Sequence, residues 1–290
     1  MNFWINLYKP QHKTSNDVLS ILKRHFKIKK MGHAGTLDKL ACGILPVAIG
    51  EATKTVSFIM NHEKEYYFSI LFGESRTTDD FDGEIIEQST NIPTVKNILK
   101  NIPLFLGKIQ QTPPLYSAIK IQGKRASDLA RSGIEVDLSS RIIEIFEFEL
   151  LSQINEREFS FRVRCSKGTY IRSLARDLAQ TLQTAGCISF LERSKVGAFE
   201  KKNSISVESL LETRYIDESC FGIYSIKTVL DDIPAVLVGI EEAEKLLRGI
   251  SIKANKSPYG NVLCLEGNKP IGIGFSENGI IKPVRNFNLN

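Results

Sequence analysis

No apolar run in the sequence approaches the roughly 20 residues that a membrane-spanning helix needs. The opening stretch, MNFWINLYKPQHKTSND, has neither the charged head nor the apolar middle and small-residue cleavage site of a secretory signal. A cytoplasmic protein is therefore expected. Cysteine is sparse and scattered. Cys42, Cys165, Cys187, Cys220 and Cys264 form no CxxC pair, so a disulfide framework or zinc site is not expected. His12, His25, His33 and His62 show no HxxxH spacing, and no structural metal is expected. GHAGTL lacks the GK[ST] of a phosphate loop. No GxGxxG dinucleotide signature occurs, and no serine, histidine and aspartate constellation presents itself.

What is present suits one large or two modest domains: 290 residues, of which 42% are hydrophobic and 24% charged. There is no internal repeat and no low-complexity tract. The formal net charge of +5 is modest, but its distribution is uneven. Lys23, Arg24, Lys27, Lys29 and Lys30 crowd the approach to Gly32. Lys120, Lys124, Arg125 and Arg131 form a second cluster; Arg157, Arg162, Arg164, Lys167, Arg172 and Arg176 form a third. Any one of these alone reads as solvated surface, whereas three together suit a polyanion lying across a face.

The stretch TSNDVLSILKRHFK reads as a helix. Thr14 and Asp17 have capping-box spacing, and Val18, Leu22 and Phe26 share one face. KEYYFSILF alternates with Tyr66, Phe68, Ile70 and Phe72 on one side, as a strand does. RTTDDFDGE follows as a turn-rich acidic loop. Pro113 and Pro114 favour extended chain. RIIEIFEFEL and EFSFRVRCS are two further strands. IRSLARDLAQTL is an amphipathic helix whose stripe is Ile171, Leu174, Ala175, Leu178 and Leu182, with Arg172 and Arg176 off it. The order lacks a regular βαβ beat, which predicts an α+β fold with a mixed or antiparallel sheet. The texture changes around 231–234. A short helix stopped by Gly249 precedes strand-like pieces joined by glycine turns, NVLCLEG, KPIGIGFS and GIIKPV. This last part predicts a small, mostly β domain near the lower size for independent folding.

Three places compete for a functional role. Asp38 lies in the glycine-rich stretch GHAGTLDKLACG, where an aspartate is ordinarily a turn former or cap. KGTYIR sets Tyr170 and Arg172 two apart where a strand hands over to a helix. The pair Tyr66 and Tyr67 lies on a strand, ordinarily a packing position.

Taken together these stretches resemble the TruB family of tRNA pseudouridine synthases. Five motifs occur in the family's order: KPQHKTSND, GHAGTLDKLACGILPVAIGEATK, KEYYFSILFGESRTTDDFDG, QTPPLYSAIKIQGKRASDLARSG and SKGTYIRSLARDL. The resemblance implies a pseudouridine synthase fold, with a mixed, largely antiparallel sheet flanked by helices and loops, over 1–232. A PUA-like RNA-binding β domain would occupy 233–290. It implies that Asp38 is the essential aspartate, that Arg172 pairs with it, and that Tyr170 is a candidate for moving the C5 proton. Tyr66 would stack on the flipped uracil and Leu191 would line its pocket. His33 would fill space left in the RNA by extruded bases, and Lys9 and Pro10 would lie near the catalytic loop. The implied substrate is the T-loop uridine, position 55 in tRNA convention, on the tRNA T-arm. No cofactor, membrane or obligate protein partner is implied, and a monomer is the default. The chain departs from the family's usual residues at His12 (glycine), Lys39 (proline), Cys42 (threonine or serine) and Ser127 (often tyrosine).

The chemistry matches these residue types. Uracil must leave its ribose at N1 and return through C5, with no redox change and no added group. A carboxylate can start this by attacking sugar or base, or by drawing a proton for a glycal route. A stacked uridine must first be flipped out, at a cost of a few kcal/mol, and aromatic stacking returns roughly 1 to 3 kcal/mol. Two rival readings remain at this point. One is a tRNA chaperone that folds the T-arm without chemistry. The other is guide-RNA-directed modification, which the lack of long basic extensions disfavours.

Overall fold

The computed structural model describes residues 1–134, 136–254 and 257–289. Its first large element is an 11-stranded mixed sheet. The strands that matter for the site are β1 (Phe3–Lys9), β2 (Cys42–Ile49), β3 (Lys64–Phe72), β4 (Gly107–Gln111), β5 (Arg141–Gln153), β6 (Glu158–Cys165) and β7 (Gly186–Val196). Their order across the sheet is β1-β2-β7-β3-β6-β5-β4, with Ile205–Ser206 outside β1. Only the β2–β7 contact and the Ile205–Ser206 contact with β1 are parallel; the other pairings are antiparallel. The mixed, largely antiparallel α+β expectation therefore holds.

Strands β3 and β6 form where the sequence alternates. Along β6, Phe159, Phe161, Val163 and Cys165 are all buried, and the residues between them are half-exposed. Strand β7 was not expected from alternation. It sits between β2 and β3, buried for most of its length, with Glu192 and Arg193 among its buried residues.

Helix α1 (Ser15–His25) begins at the reciprocal Thr14–Asp17 box: Asp17 N donates to Thr14 Oγ1 at 3.1 Å and Thr14 N donates to Asp17 Oδ2 at 2.9 Å. Helix α2 (Ile171–Thr181) packs against β7. Val18 and Leu22 of α1 and Leu174 and Leu178 of α2 join Phe68, Phe161 and Leu191 in the main core.

The carboxy-terminal part forms a second, five-stranded sheet. Its strands are β8 (Ala235–Leu237), β9 (Ile252–Lys253), β10 (Gly260–Glu266), β11 (Lys269–Glu277) and β12 (Ile280–Asn286), in the order β8-β10-β11-β12-β9. Helix α3 (Ile240–Leu247) packs on this sheet, and Gly249 follows it at φ 82°, as expected of a helix stop. The small sheet is docked, not free. Leu263, Leu265, Ile273 and Phe287 share one core with Trp4, Ile44 and Phe199 of the large sheet. Lys54 Nζ donates to Asn286 O at 2.6 Å, and Asn288 N to Glu51 Oε2 at 2.8 Å, across the same seam. No helix among the described residues is long and apolar enough to cross a membrane.

Candidate active site

Asp38 lies on the loop between the short strand Met31–His33 and β2, and this loop is held from three directions. Ser15, at the start of α1, grips Leu37: Leu37 N donates to Ser15 Oγ at 2.9 Å, and that hydroxyl donates to Leu37 O at 3.2 Å. His12 N donates to Lys39 O at 2.8 Å. From β7, the buried Arg193 donates through Nη2 to Gly35 O at 2.9 Å and through Nε to Ile44 O at 2.8 Å. The close approach explains one glycine. Gly43 has φ 106°, and a Cβ there would lie 2.2 Å from Arg193 O.

Helix α2 supplies the cation. Arg172 Nε lies 2.9 Å from Asp38 Oδ2 and 3.6 Å from Asp80 Oδ2. The approach to Asp38 is an ion pair too bent to count as a hydrogen bond from Nε–H. The other guanidinium nitrogens are spent on backbone: Nη1 donates to Thr78 O at 2.8 Å and Nη2 to Tyr116 O at 3.0 Å. The Arg172 side chain is 5% exposed and that of Asp80 4%, whereas Asp38 is 39% exposed. The pair thus presents its carboxylate to solvent and keeps its cation inside. Burial disfavours the charged guanidinium, but Asp38, Asp80 and Asp79 outweigh it and hold Arg172 above the ordinary arginine value. Burial also raises Asp80, against the hydrogen bond from Thr78 and the charge of Arg172.

Asp38 and Arg172 stand on the wall between two cavities. The inner one, about 640 Å³, is lined by Tyr66, Tyr170, Leu191 and Arg193 together with Asp38 and Arg172. The outer one, about 840 Å³, runs from Asn16 and Lys39 past Asp80 and Asp82 to Arg125, Ser127 and Arg131. Register explains the inner lining: on β7 Leu191 faces Phe68, and Arg193 faces Tyr66 on one side and Gly43 on the other. Tyr66 is buried, which pushes its phenol above the usual value, with Arg193 acting the other way. Lys64, also on the inner lining, is lowered to about 8 by burial and by Arg193.

Five of the expected residues therefore meet: Asp38, Tyr66, Tyr170, Arg172 and Leu191. Three do not line either cavity. Lys9 is fully buried and donates to Pro10 O at 2.9 Å and Lys13 O at 2.6 Å; burial lowers it to about 8. It closes the turn that contains Pro10. His33 lies on the short strand, with Nδ1 buried and without a protein partner; burial and then Arg193 lower its value. Among the described residues no cluster is arranged to hold a metal ion.

The third basic cluster requires correction as a surface for a polyanion. Arg162 is paired with Glu65, Glu147 and Glu149, and Arg164 with Glu63 and Glu147. Arg157 pairs with Glu74, Arg176 with Asp79 and Asp177, and Arg172 is inside the site. Strands β6 and β5 set Arg162 opposite Glu149 and Arg164 opposite Glu147, and β3 sets Glu65 opposite Arg164, so these two arginines are largely neutralised; Lys167 has no ion pair among the described residues. In the second cluster Lys120, Lys124 and Arg125 are exposed, with no ion pair among the described residues; Arg131 lies 3.6 Å from Asp128.

Asp80 and Arg193 were not anticipated. The acidic run TTDDFDG carried the only hint of Asp80. Arg193 sits in FLERSKVG beside Leu191, with nothing in that stretch to mark it.

The chain is similar to several known proteins. The model of the TruB family pseudouridylate synthase N-terminal domain matches residues 23–171. A tRNA pseudouridine synthase B of Ehrlichia canis is 42% identical, over 99% of this chain and 97% of its own. One from Caulobacter vibrioides is 39% identical, over 99% and 96%. Two solved structures share the fold. An H/ACA RNP bound to a substrate RNA containing 2′-deoxyuridine aligns with TM-score 0.74 at 21% identity, over 98% of this chain and 84% of the other. An archaeal box H/ACA sRNP Nop10-Cbf5 complex aligns at 0.72 and 20% identity, over 98% and 85%. The carboxy-terminal sheet fits a PUA-like domain.

Proposed function

The chain belongs to the TruB family of pseudouridine synthases, isomerases that act on tRNA, and from that membership we propose that it converts the T-loop uridine at position 55 of tRNA to pseudouridine. The observation that carries this reading is the Asp38–Arg172 pair, 2.9 Å apart, standing at an aromatic-floored cavity that one base can enter. The flipped uracil stacks on Tyr66, and Leu191 packs against it. Aromatic stacking returns roughly 1 to 3 kcal/mol of the flipping cost. Asp38 acts as nucleophile or as base. The N1–C1′ bond breaks, C5–C1′ forms, the C5 proton leaves and N1 takes up a proton, so the atoms balance without a cofactor. Arg172 holds the carboxylate in place and balances its charge. Tyr170, on the same lining, is the group assigned to the C5 proton. His33, Lys9 and Pro10 act more remotely: His33 against the RNA left behind, Lys9 and Pro10 by holding the turn beside the Asp38 loop.

The reading divides the chain into a catalytic domain over 1–232 and a PUA-like RNA-binding domain over 233–290. The reading takes the protein as a monomer with no obligate protein partner. The reading sets the reaction in the cytoplasm.

Tritium release from tRNA labelled at uridine C5 tests the proposal, with Asp38→Asn beside the wild type. Stoichiometric release by the wild type alone, mapped to the T-loop, is expected. Tight binding of the same RNA without release would replace the enzyme by a T-arm chaperone.

A further inference from the structure

Gln111 and Arg141 face each other in register on the antiparallel strands β4 and β5, so their side chains leave the sheet on the same face. Both reach Tyr170. The buried Gln111 grips its backbone with both ends of one amide: Tyr170 N donates to Oε1 at 2.8 Å, and Nε2 donates to Tyr170 O at 3.1 Å. Tyr170 stands immediately before α2, where a backbone N–H has no partner within the helix. Its carbonyl also accepts the first helical bond, from Leu174 N at 3.0 Å. Arg141 takes the ring. Its Cζ lies 5.2 Å from the centroid of the Tyr170 phenol, a cation–π contact at the edge of the inner cavity.

We propose that Gln111 and Arg141 form a two-sided clamp that positions Tyr170 for the isomerisation, Gln111 setting the backbone and Arg141 the ring plane. The clamp rests on the reading of Tyr170 as a group that acts on the base. Among the described residues neither clamp residue makes a hydrogen bond or ion pair with Asp38 or Arg172; both act through Tyr170. The need for such a device is local. The chain reaches Tyr170 through the turn Lys167-Gly168-Thr169, with Gly168 at φ 82°, and such a turn leaves a side chain poorly fixed unless it is gripped from outside. A misplacement of about 1 Å at a reacting group can cost about 100-fold in rate, so fixing this ring has a direct kinetic return.

The test measures the single-turnover rate of pseudouridine formation and, separately, the Kd for a T-arm stem-loop. It uses the full chain carrying Gln111→Leu, Arg141→Lys, Tyr170→Ala and the double variant Gln111→Leu/Tyr170→Ala. Gln111→Leu is expected to slow the chemical step about 10- to 100-fold with Kd changed less than about twofold. Arg141→Lys keeps the charge but loses the planar stack, and is expected to slow the step about 5- to 10-fold. The double variant should be no slower than Tyr170→Ala alone, because the clamp has nothing left to hold. An ordinary structural role would instead add its loss to that of Tyr170→Ala. Should Gln111→Leu fail to fold, Arg141→Lys and its double variant with Tyr170→Ala carry the same test. A slow Tyr170→Ala with normal rates in both clamp variants, or fully additive losses, overturns the clamp alone. An unchanged rate for Tyr170→Ala removes the role of Tyr170, and the clamp with it.

Discussion

Arg172 Nε lies 2.9 Å from Asp38 Oδ2, and the same nitrogen lies 3.6 Å from Asp80 Oδ2. One buried guanidinium is therefore shared by an exposed carboxylate and a buried one. The asymmetry decides their roles. Asp38 opens to solvent and, in the proposed reading, meets substrate, whereas Asp80 is anchored from behind by Thr78 Oγ1 and by Asp82 N at 3.1 Å. The remaining donors of this arginine go to Thr78 O and Tyr116 O, which fix the plane of the guanidinium.

Arg172→Lys tests the fork itself. Lysine keeps the charge but cannot reach Asp38 and both carbonyls at once. Turnover is expected to fall about 100-fold, roughly 2.7 kcal/mol on the barrier, with the fold retained. Stability should fall by about 1 kcal/mol, because two half-buried carbonyls lose their donors to water or to a poorer geometry. Single-turnover assays and thermal unfolding read the two effects. Unchanged turnover would remove the ion pair from the mechanism.

Asp80→Asn should separate function from stability. Asparagine can keep the contacts to Thr78 and Asp82 N but not the charge on Arg172. Turnover is expected to fall about 10-fold or more, while the folded state at neutral pH loses little or gains. The sign follows from the raised value of Asp80. A carboxyl whose folded pKa lies above its unfolded one contributes stability below the unfolded value and loses it as pH rises through the folded value. Above its folded value the wild type therefore bears the cost of an ionised buried carboxylate that the variant avoids. As pH falls toward the carboxylate range the wild type gains on the variant. Unfolding midpoints of both proteins against pH check this; a variant that is relatively less stable at pH 7 than at pH 4 contradicts it.

Much of this arrangement could be read from the chain, and the exceptions share a cause. The cap at Thr14, the alternation in Lys64–Phe72 and Glu158–Cys165, and the stop at Gly249 are local signals, and all appear in the structure. Strand β2 did not stand out because it is buried at all eight positions, and a continuous apolar run has no period to distinguish strand from helix. Strand β7 was hidden by Glu192 and Arg193, charges that are buried because partners from distant parts of the chain meet them there. Glu192 accepts from Tyr8 Oη at 2.6 Å, and Arg193 reaches Gly35 and Ile44. The basic cluster around Arg162 misled for the mirror reason: its glutamates are neighbours only across strands. Arg172, read as lying off the apolar stripe, is off it but inward-facing, because Asp38 and Asp80 wait on that side.

Those ion pairs redistribute the expected grip on RNA. Lys124 and Arg125 are exposed near the outer cavity, whereas Arg162 is committed to three glutamates. If phosphates meet the former, Lys124→Ala should reduce the slope of log K against log salt by about one unit, and Arg162→Ala should leave it unchanged. Binding of a T-arm stem-loop across roughly 50 to 200 mM salt measures this. A slope that changes with Arg162 and not with Lys124 would place the RNA on the opposite face of the sheet.

His12, which stands where the family usually has glycine, has φ 63°. That left-handed conformation costs an L-residue with a Cβ about 1 to 2 kcal/mol, whereas glycine gives back about 0.5 to 1 kcal/mol of this as chain entropy. The strain is held because His12 N donates to Lys39 O, next to Asp38, and a glycine would keep that backbone bond. His12 is exposed, so its side chain leaves little packing to lose. His12→Gly should therefore stabilise the fold by about 0.5 to 1 kcal/mol, raising the unfolding midpoint by about 1 to 3 °C. Turnover should stay within about twofold of the wild type. A lowered midpoint would mean that the imidazole contributes more than the strain costs. Faster or slower turnover at an improved midpoint would mean that the strained turn also sets the position of the Asp38 loop.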